Sequence, residues 1–367
     1  MRGTSVALLA LTLLLLEACD DGPTFEDQLS DERGLQITFD GDARLVQRPL
    51  AWTLDGSEII YNSPSGIKAV DARTGGIRML VTGCTQEPQM SAYGVLYVDC
   101  SNALHLIDLS GARDTVLANS VEPTFSVEPT FVVSASGRYV VYVSTANNCD
   151  LWSDCRAAVV DLEAKTERLT SAPYLDLSSS CVYGAEIPTA LAEDASELLY
   201  HYSECDLAFV RLGDGVRREI QSPGRSHFLR WDDAGVWIAV ESPGSPSGVY
   251  LWNATTGISS DVLQVSGDFY IYRSGGFSVS PALSSDHRTL SIWSVACLGS
   301  DAGACGHWRA WLHYFDNESG RSGTLATVVW GYYPEQHGGV RATAFSPGGK
   351  KIASVIGNDI YVSDVPR

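Results

Sequence analysis

Positive charge is scarce in this chain: 25 Lys and Arg stand against 44 Asp and Glu, a formal net charge of −19. No basic block interrupts that deficit, which excludes nucleic acid and anionic lipid surfaces as partners, because both are held chiefly by Lys and Arg. Long apolar runs are missing after Leu16, so no later segment has the ~20 apolar residues that a membrane-crossing helix needs. Helical periodicity is missing over the same stretch. Also missing are a GxSxG elbow, an HExxH pair, a GxxxxGK[ST] phosphate loop and a GxGxxG turn between strand and helix. The cysteines show no CxxC spacing and none sits beside a His pair, so neither zinc nor any other cofactor is expected.

What is present begins at the start of the chain. Arg2 precedes an eleven-residue apolar run, Val6 to Leu16, broken only by Thr12. The run has the length of an export signal and is too short to span a bilayer. It ends in Leu16-Glu17-Ala18-Cys19, which resembles the lipobox of bacterial lipoproteins. That resemblance implies cleavage before Cys19, a diacylglycerol on its thiol, and an acylated amino terminus as the second anchoring signal. Residues 1–18 are then a signal peptide and 19–34, acidic and poor in apolar side chains, a solvated tether. The localisation expected is an envelope membrane, inner or outer, reached only through the lipid.

The rest of the chain repeats itself with a period in the range of propeller blades. The sharpest copy runs from Thr343 through Phe345-Ser-Pro-Gly-Gly-Lys-Lys-Ile-Ala353 to Ile360-Tyr-Val-Ser-Asp364. A second starts at Leu229 and passes through Val236-Trp-Ile-Ala-Val240, Gly248-Val-Tyr-Leu-Trp-Asn253 and Thr256-Gly257. Weaker copies start near Leu50, Met90, Phe131, Thr189 and Phe277, which makes seven. The alternation in Tyr139 to Val143 and in Ile360 to Val362 predicts strands with one face buried. The pattern from Phe345 to Asp364 resembles the repeats of TolB-type periplasmic propellers. The fold expected is therefore all-β, a single β-propeller of about seven four-stranded blades over residues 35–367. The last copy stops after three strands and leaves a sheet edge open. Leu35 to Phe39 or Ala43 to Val46 would supply the missing strand and close the ring.

With Cys19 given to lipid, eight cysteines remain, an even number in an oxidising compartment. Their positions in the repeat predict the bridges Cys84–Cys100, Cys149–Cys155, Cys181–Cys205 and Cys297–Cys305. The second and fourth couples fall in second-to-third-strand loops. The first and third join the loop entering a blade to the end of its second strand. The acidic string Asp316-Asn-Glu-Ser-Gly320 occupies the same turn as Asn253 to Gly257 and Asp71 to Gly75, and reads as a turn rather than an ion site.

A propeller repeat identifies architecture, not activity. Two functions compete. The first is a non-catalytic, monomeric envelope scaffold that binds a protein or peptide on its long-loop face. The residues offered for that are Tyr174, Tyr183, Tyr270, Tyr272, Arg273, Trp330, Tyr332, Tyr333 and His337, since Tyr, Trp and Arg dominate binding hot spots. The second is an enzyme, or a carbohydrate-binding accessory, with a polar site at the channel mouth, to be recognised by three or more carboxylates or histidines meeting there. The seven histidines, His105, His201, His227, His287, His307, His313 and His337, are scattered over the blades. No nucleophile, base and orienting partner can be named from the sequence, so the non-catalytic reading is the leading expectation.

Overall fold

The computed structural model describes residues 34–39, 41, 43, 50–119, 121, 131–144, 156–173, 188–201, 206–224, 226–242, 248–260, 263–264, 281–297, 300–301, 304–305, 308–330 and 340–366. Among them lie seven four-stranded antiparallel sheets and one small two-stranded hairpin. Six sheets, blades 1 to 6, take four strands of one repeat, within 51–82, 85–118, 131–173, 188–221, 226–264 and 282–330, consecutive except in blade 6, where the small hairpin lies between the second and third. The first strands of successive blades touch in chain order, and that of blade 7, Val340–Phe345, touches both blade 6 and blade 1. The sheets therefore close into a ring. This is the seven-bladed propeller that the TolB-type resemblance implies.

Blade 7 has only three strands from its own repeat, Val340–Phe345, Lys351–Ile356 and Asp359–Asp364. The fourth and outermost is Leu35–Gln36, with Leu35 opposite Val362 and Gln36 opposite Tyr361. Of the two candidate closing segments, the structure uses the first. Pairing continues past the strand, where Ile37 N donates to Ile360 O at 2.9 Å. Asp359 fastens the seam by accepting from Thr38 Oγ1 at 3.1 Å, Gly41 N at 3.1 Å and Gln36 Nε2 at 3.3 Å. Thr38 Oγ1 in turn accepts from Ile360 N at 2.8 Å.

Seven apolar clusters hold the ring, one in each seam between neighbouring blades. A side chain buried there contributes about 1.5–3 kcal/mol. The strands supply both seams by simple alternation. In Glu58–Ser63, Ile59 and Tyr61 enter the seam with blade 7 while Ile60 enters the seam with blade 2. This corrects the expectation of strands buried on one face only. In Tyr139–Ser144, Val140 and Tyr142 pack toward blade 2 and Val141 toward blade 4, and none is more than 3% exposed. The physical reason is stacking: each sheet lies between two others, so neither face of its central strands meets water. The one-face rule belongs to sheets with a solvated side.

Cys84 and Cys100 form a disulfide, with their Cα atoms 5.6 Å apart. They flank the first hairpin of blade 2, Thr85–Ser91 with Gly94–Asp99, as their places in the repeat predict. Cys297 ends the second strand of blade 6, and Cys305 lies in the small hairpin that follows it. The side chains of both, and Cys19, Cys149, Cys155, Cys181 and Cys205 entirely, lie outside the described residues.

Candidate active site at the short-turn mouth

Because the first strand of each blade lines the channel, the turns from first to second strand ring one of its mouths. Five of these turns share one construction. The amide of Gly56, Gly137, Ala195, His287 or Gly349 donates to the carbonyl three residues earlier, at 2.8–3.0 Å. Each of the five residues has positive φ, between 54° and 73°. In four turns a hydroxyl at the first position locks the exit, as where Ser284 Oγ accepts from Thr289 N at 2.8 Å and Ser134 Oγ from Tyr139 N at 3.1 Å. Thr53 and Ser346 do the same for Glu58 and Lys351.

Neighbouring turns are also tied together. Ala92 N donates to Gly137 O at 3.1 Å, Ser136 N to Glu193 Oε2 at 2.8 Å, and Ser285 Oγ to Pro347 O. Gly137 has to be glycine here, since a Cβ would lie 2.4 Å from Ala92 N. The result is a stiff collar of short turns.

Blade 5 breaks the pattern. Its first strand, Ser226–Asp232, shifts register between Phe228 and Arg230 and runs into a tight turn in which Asp232 pairs directly with Gly235. Such a bulge bends a strand and redirects its side chains. Here it precedes Arg230, Trp231, Asp232 and Asp233, all of which line cavities at the mouth. One cavity of about 370 Å³ is bordered by Glu193, Arg230, Asp232, Asp233 and His287. A second of about 570 Å³ shares Ser136, Glu193, Asp232 and Asp233 with it and adds Arg138, Tyr139, Asp194 and Trp231. These volumes fall in the range of small-molecule sites.

At the centre is a contact across the seam between blades 5 and 6. His287 Nε2 lies 2.6 Å from Asp232 Oδ2, and Arg230 Nε donates to the same oxygen at 2.5 Å. Asp232 Oδ1 accepts from Ala234 N at 3.0 Å. Burial would raise the Asp232 pKa, but the hydrogen bonds from His287 and Arg230 outweigh it and hold the carboxyl below the usual carboxylate value. Asp232 is therefore ionised and has no proton to give, so in a neutral His287 ring the proton sits on Nε2 and the lone pair on Nδ1. The ring also stacks on Trp237, with centroids 5.1 Å apart and planes at 22°.

The other charges around the cavities are unevenly matched. Arg138 is committed to Asp161 and Glu163, each at 2.7 Å, and lies over the Tyr139 ring. Hydrogen bonds from Ser196 lead in holding Asp194 below its usual value, against the opposing effect of burial. Glu193 accepts from the backbone amide of Ser136, and it lines the same cavities as Asp233. The lining thus keeps a negative excess, with aromatic faces from Tyr139 and Trp231 beside it.

Sequence reasoning missed this constellation. The signal available was the misfit of His287, which occupies in Ser284-Ser285-Asp286-His287 the place held by Gly349 in Ser346-Pro347-Gly348-Gly349. The long-loop residues offered as a binding surface are not brought together among the described residues. Tyr174, Tyr183, Tyr270, Tyr272, Arg273, Tyr332, Tyr333 and His337 lie outside them, and Trp330 ends the last strand of blade 6 with its side chain undescribed. The Asp316 string is a turn as expected: Asp316 Oδ1 accepts from Glu318 N and Ser319 N at 3.0 and 3.1 Å.

No family model matches the chain, and no curated protein matches it in sequence. Solved structures do match. An oligogalacturonate lyase in complex with manganese aligns over 92% of this chain and 95% of its own, with 15% identity and a TM-score of 0.61. An oligogalacturonate lyase from Vibrio parahaemolyticus aligns over 90% and 93%, with 14% identity and a TM-score of 0.59. A TolB from Acinetobacter baumannii aligns over 76% and 64%, with 13% identity and a TM-score of 0.43. These findings correct the leading expectation of a non-catalytic scaffold for a protein or peptide. The two neighbours that match over nine-tenths of the chain are enzymes, and the mouth carries the carboxylates and histidine set out beforehand as the mark of the enzyme reading. By fold, this chain stands with the seven-bladed β-propellers that include the two lyases.

Proposed function

We propose that the chain is an enzyme that cleaves saccharides by acid–base chemistry at the short-turn mouth. The observation that carries this is the 2.6 Å contact between His287 Nε2 and Asp232 Oδ2 inside a polar cavity. An imidazole held by an ionised carboxylate is the usual construction of a general base. A water hydrogen-bonded to Nδ1 gives its proton to that lone pair as its oxygen bonds to the anomeric carbon and the glycosidic C–O bond breaks, and the imidazolium so formed is stabilised by Asp232. The ring then returns the proton to the leaving oxygen. Trp231, which lines the second cavity, offers apolar surface against which a sugar ring can rest.

The charge of the lining bears on the substrate. Arg138, Arg230 and His287 all have carboxylate partners within the protein, while Glu193 and Asp233 face the cavity. Neutral or amine-bearing saccharides suit this lining better than polyuronates, which the negative excess repels. The manganese of the one lyase is a property of that protein. Among the described residues no three of His, Cys, Asp or Glu are arranged to hold an ion, and no step is routed through one.

The test is a panel of neutral, amino and uronate oligosaccharides assayed for reducing-end release with the wild-type chain and with His287→Asn. Cleavage of a neutral or amino sugar that is lost in the variant supports the proposal. Full activity in the variant, or no cleavage of any class, defeats it, and binding without turnover would leave a carbohydrate-binding accessory.

We further infer from the first nineteen residues that the protein is exported and anchored through Cys19. Cys19→Ser should move it from the detergent phase to the aqueous phase, and unchanged partitioning would refute the anchor.

A further inference from the structure

Two unrelated departures from the most stable choice meet at one contact. The first is His287 itself, a branched ring side chain at φ +56° in a turn position that glycine fills in blades 1, 3 and 7. Left-handed backbone is uncommon for a non-glycine residue, although histidine enters it more readily than most and Ala195 takes it in the same turn of blade 4. The second is Trp237, whose indole Nε1, like that of Trp293, is buried without a hydrogen-bond acceptor among the described residues. Buried indole N–H groups normally find one. Trp52, in the seam between blades 7 and 1, donates to Ala344 O at 3.0 Å. Trp237 and His287 come from different blades, and their rings stack at 5.1 Å.

We infer that Trp237 is a positioning residue of the proposed site: its indole face and Asp232 grip the His287 ring from two sides and fix which nitrogen faces the cavity. The inference rests on the acid–base reading above and adds the element that holds it. Asp232 alone sets one hydrogen bond, about which the ring could still pivot. The indole plane removes that pivot, so Nδ1 keeps one direction before any substrate arrives. A second blade supplies the grip, and the left-handed turn at 287 brings the ring to it. Local rules are broken where function requires it, and here two are broken for the same ring.

The test uses the full chain with Trp237→Leu and Trp237→Phe. Nitrogen–proton correlation spectra of the histidine side chains, with His287 identified by loss of its signals in His287→Asn, report the tautomer without substrate. The wild type and Trp237→Phe should show a single Nε2–H tautomer. Trp237→Leu should show a mixture, with kcat on the cleaved saccharide down about tenfold, KM unchanged, and the thermal midpoint unchanged or raised. Phenylalanine keeps the stack and should keep kcat within about twofold of wild type. An unchanged tautomer in Trp237→Leu overturns the inference, as does a fall in thermal midpoint that tracks the loss of activity in both variants. If no saccharide is cleaved, the acid–base reading fails while the spectra still decide whether Trp237 holds the ring.

Discussion

The seam between blades 7 and 1 and the seam between blades 5 and 6 are built from the same kinds of strand, yet they are finished in opposite ways. At the first, polar groups are matched: Asp359 collects three donors from the N-terminal segment, and the Trp52 indole donates to a backbone carbonyl. At the second, a tryptophan leaves its N–H unmatched and a histidine sits where glycine would be easier. The first seam has to hold the ring shut, and these bonds serve that. The second, in the reading proposed above, holds a base and its carboxylate, and its local choices answer to that pair.

Exchanging what each seam is thought to supply gives the largest expected effect at the second. His287→Gly should lower cleavage by about 100-fold to 10,000-fold, the range of general-base loss. Its stability should change by no more than about 1 kcal/mol, because glycine's ease in left-handed backbone offsets the lost hydrogen bond to Asp232. Kinetics and a denaturant melt on the same preparation check both parts. If stability falls with activity, the contrast between the seams is lost.

The disulfide offers a control away from both seams. Reducing Cys84–Cys100, which closes a loop with a sequence separation of 16, should cost about 3 kcal/mol on the chain-entropy account. Cleavage should survive, because neither cysteine lines the mouth. Non-reduced peptide mapping of the protein before reduction will show whether the six cysteines other than Cys19, Cys84 and Cys100 pair within their local couples.

At the closing seam the expected effect is smaller and purely structural. Asp359→Ala removes three partly buried hydrogen bonds and should cost about 2–3 kcal/mol in a urea melt. The His287 spectrum should remain as in wild type. A changed His287 signal in Asp359→Ala would mean that the two seams are coupled across the ring.

The smallest effect concerns pH. A hydrogen bond from Arg288 leads in holding Asp316 down at about 2 against an ordinary 3.8, with burial opposing and the amides of Ser319 and Glu318 assisting. A depressed folded pKa stabilises above the unfolded value and is lost as protons bind the folded state. This contribution is complete above pH ~4 and fades as the pH falls toward ~2. Asp316→Asn should flatten that part of an acid-unfolding curve, and an unchanged curve would refute the assignment.

Much of the ring was legible in the sequence because blades are local objects. Strand, turn and strand follow within one repeat, and hydroxyls such as Ser134, Ser284 and Ser346 mark the same turn in different copies. The closing strand was legible as a deficit, since three strands after Val340 leave an edge. Pairing of Cys84 with Cys100 followed from position in the repeat. The two-sided burial of Val140, Val141 and Tyr142 was not legible, because one sheet's pattern does not reveal what stacks on its second face. The site was hidden for a related reason. Asp232 and His287 are 55 residues apart, and only the order of blades around the ring makes their turns adjacent. The bulge before Arg230, which redirects its neighbours, also carries no clear mark in the sequence.

The strand Leu35–Gln36 has a consequence for how the molecule comes to be folded. Its partners lie in Asp359–Asp364, and the side-chain contacts that fasten it span 321 and 323 residues. Pairings of such separation form late and slowly, because the intervening chain must first be brought into order. The segment at 35–36 is made before its partner and waits, unpaired, until residues 359–364 have followed it. Between the pairing of blade 7's own three strands and the docking of Leu35–Gln36, the blade exposes a bare edge, and a second unfinished copy could add a strand to it. The danger of domain swapping is greatest before closure and falls sharply once the first strand is in place.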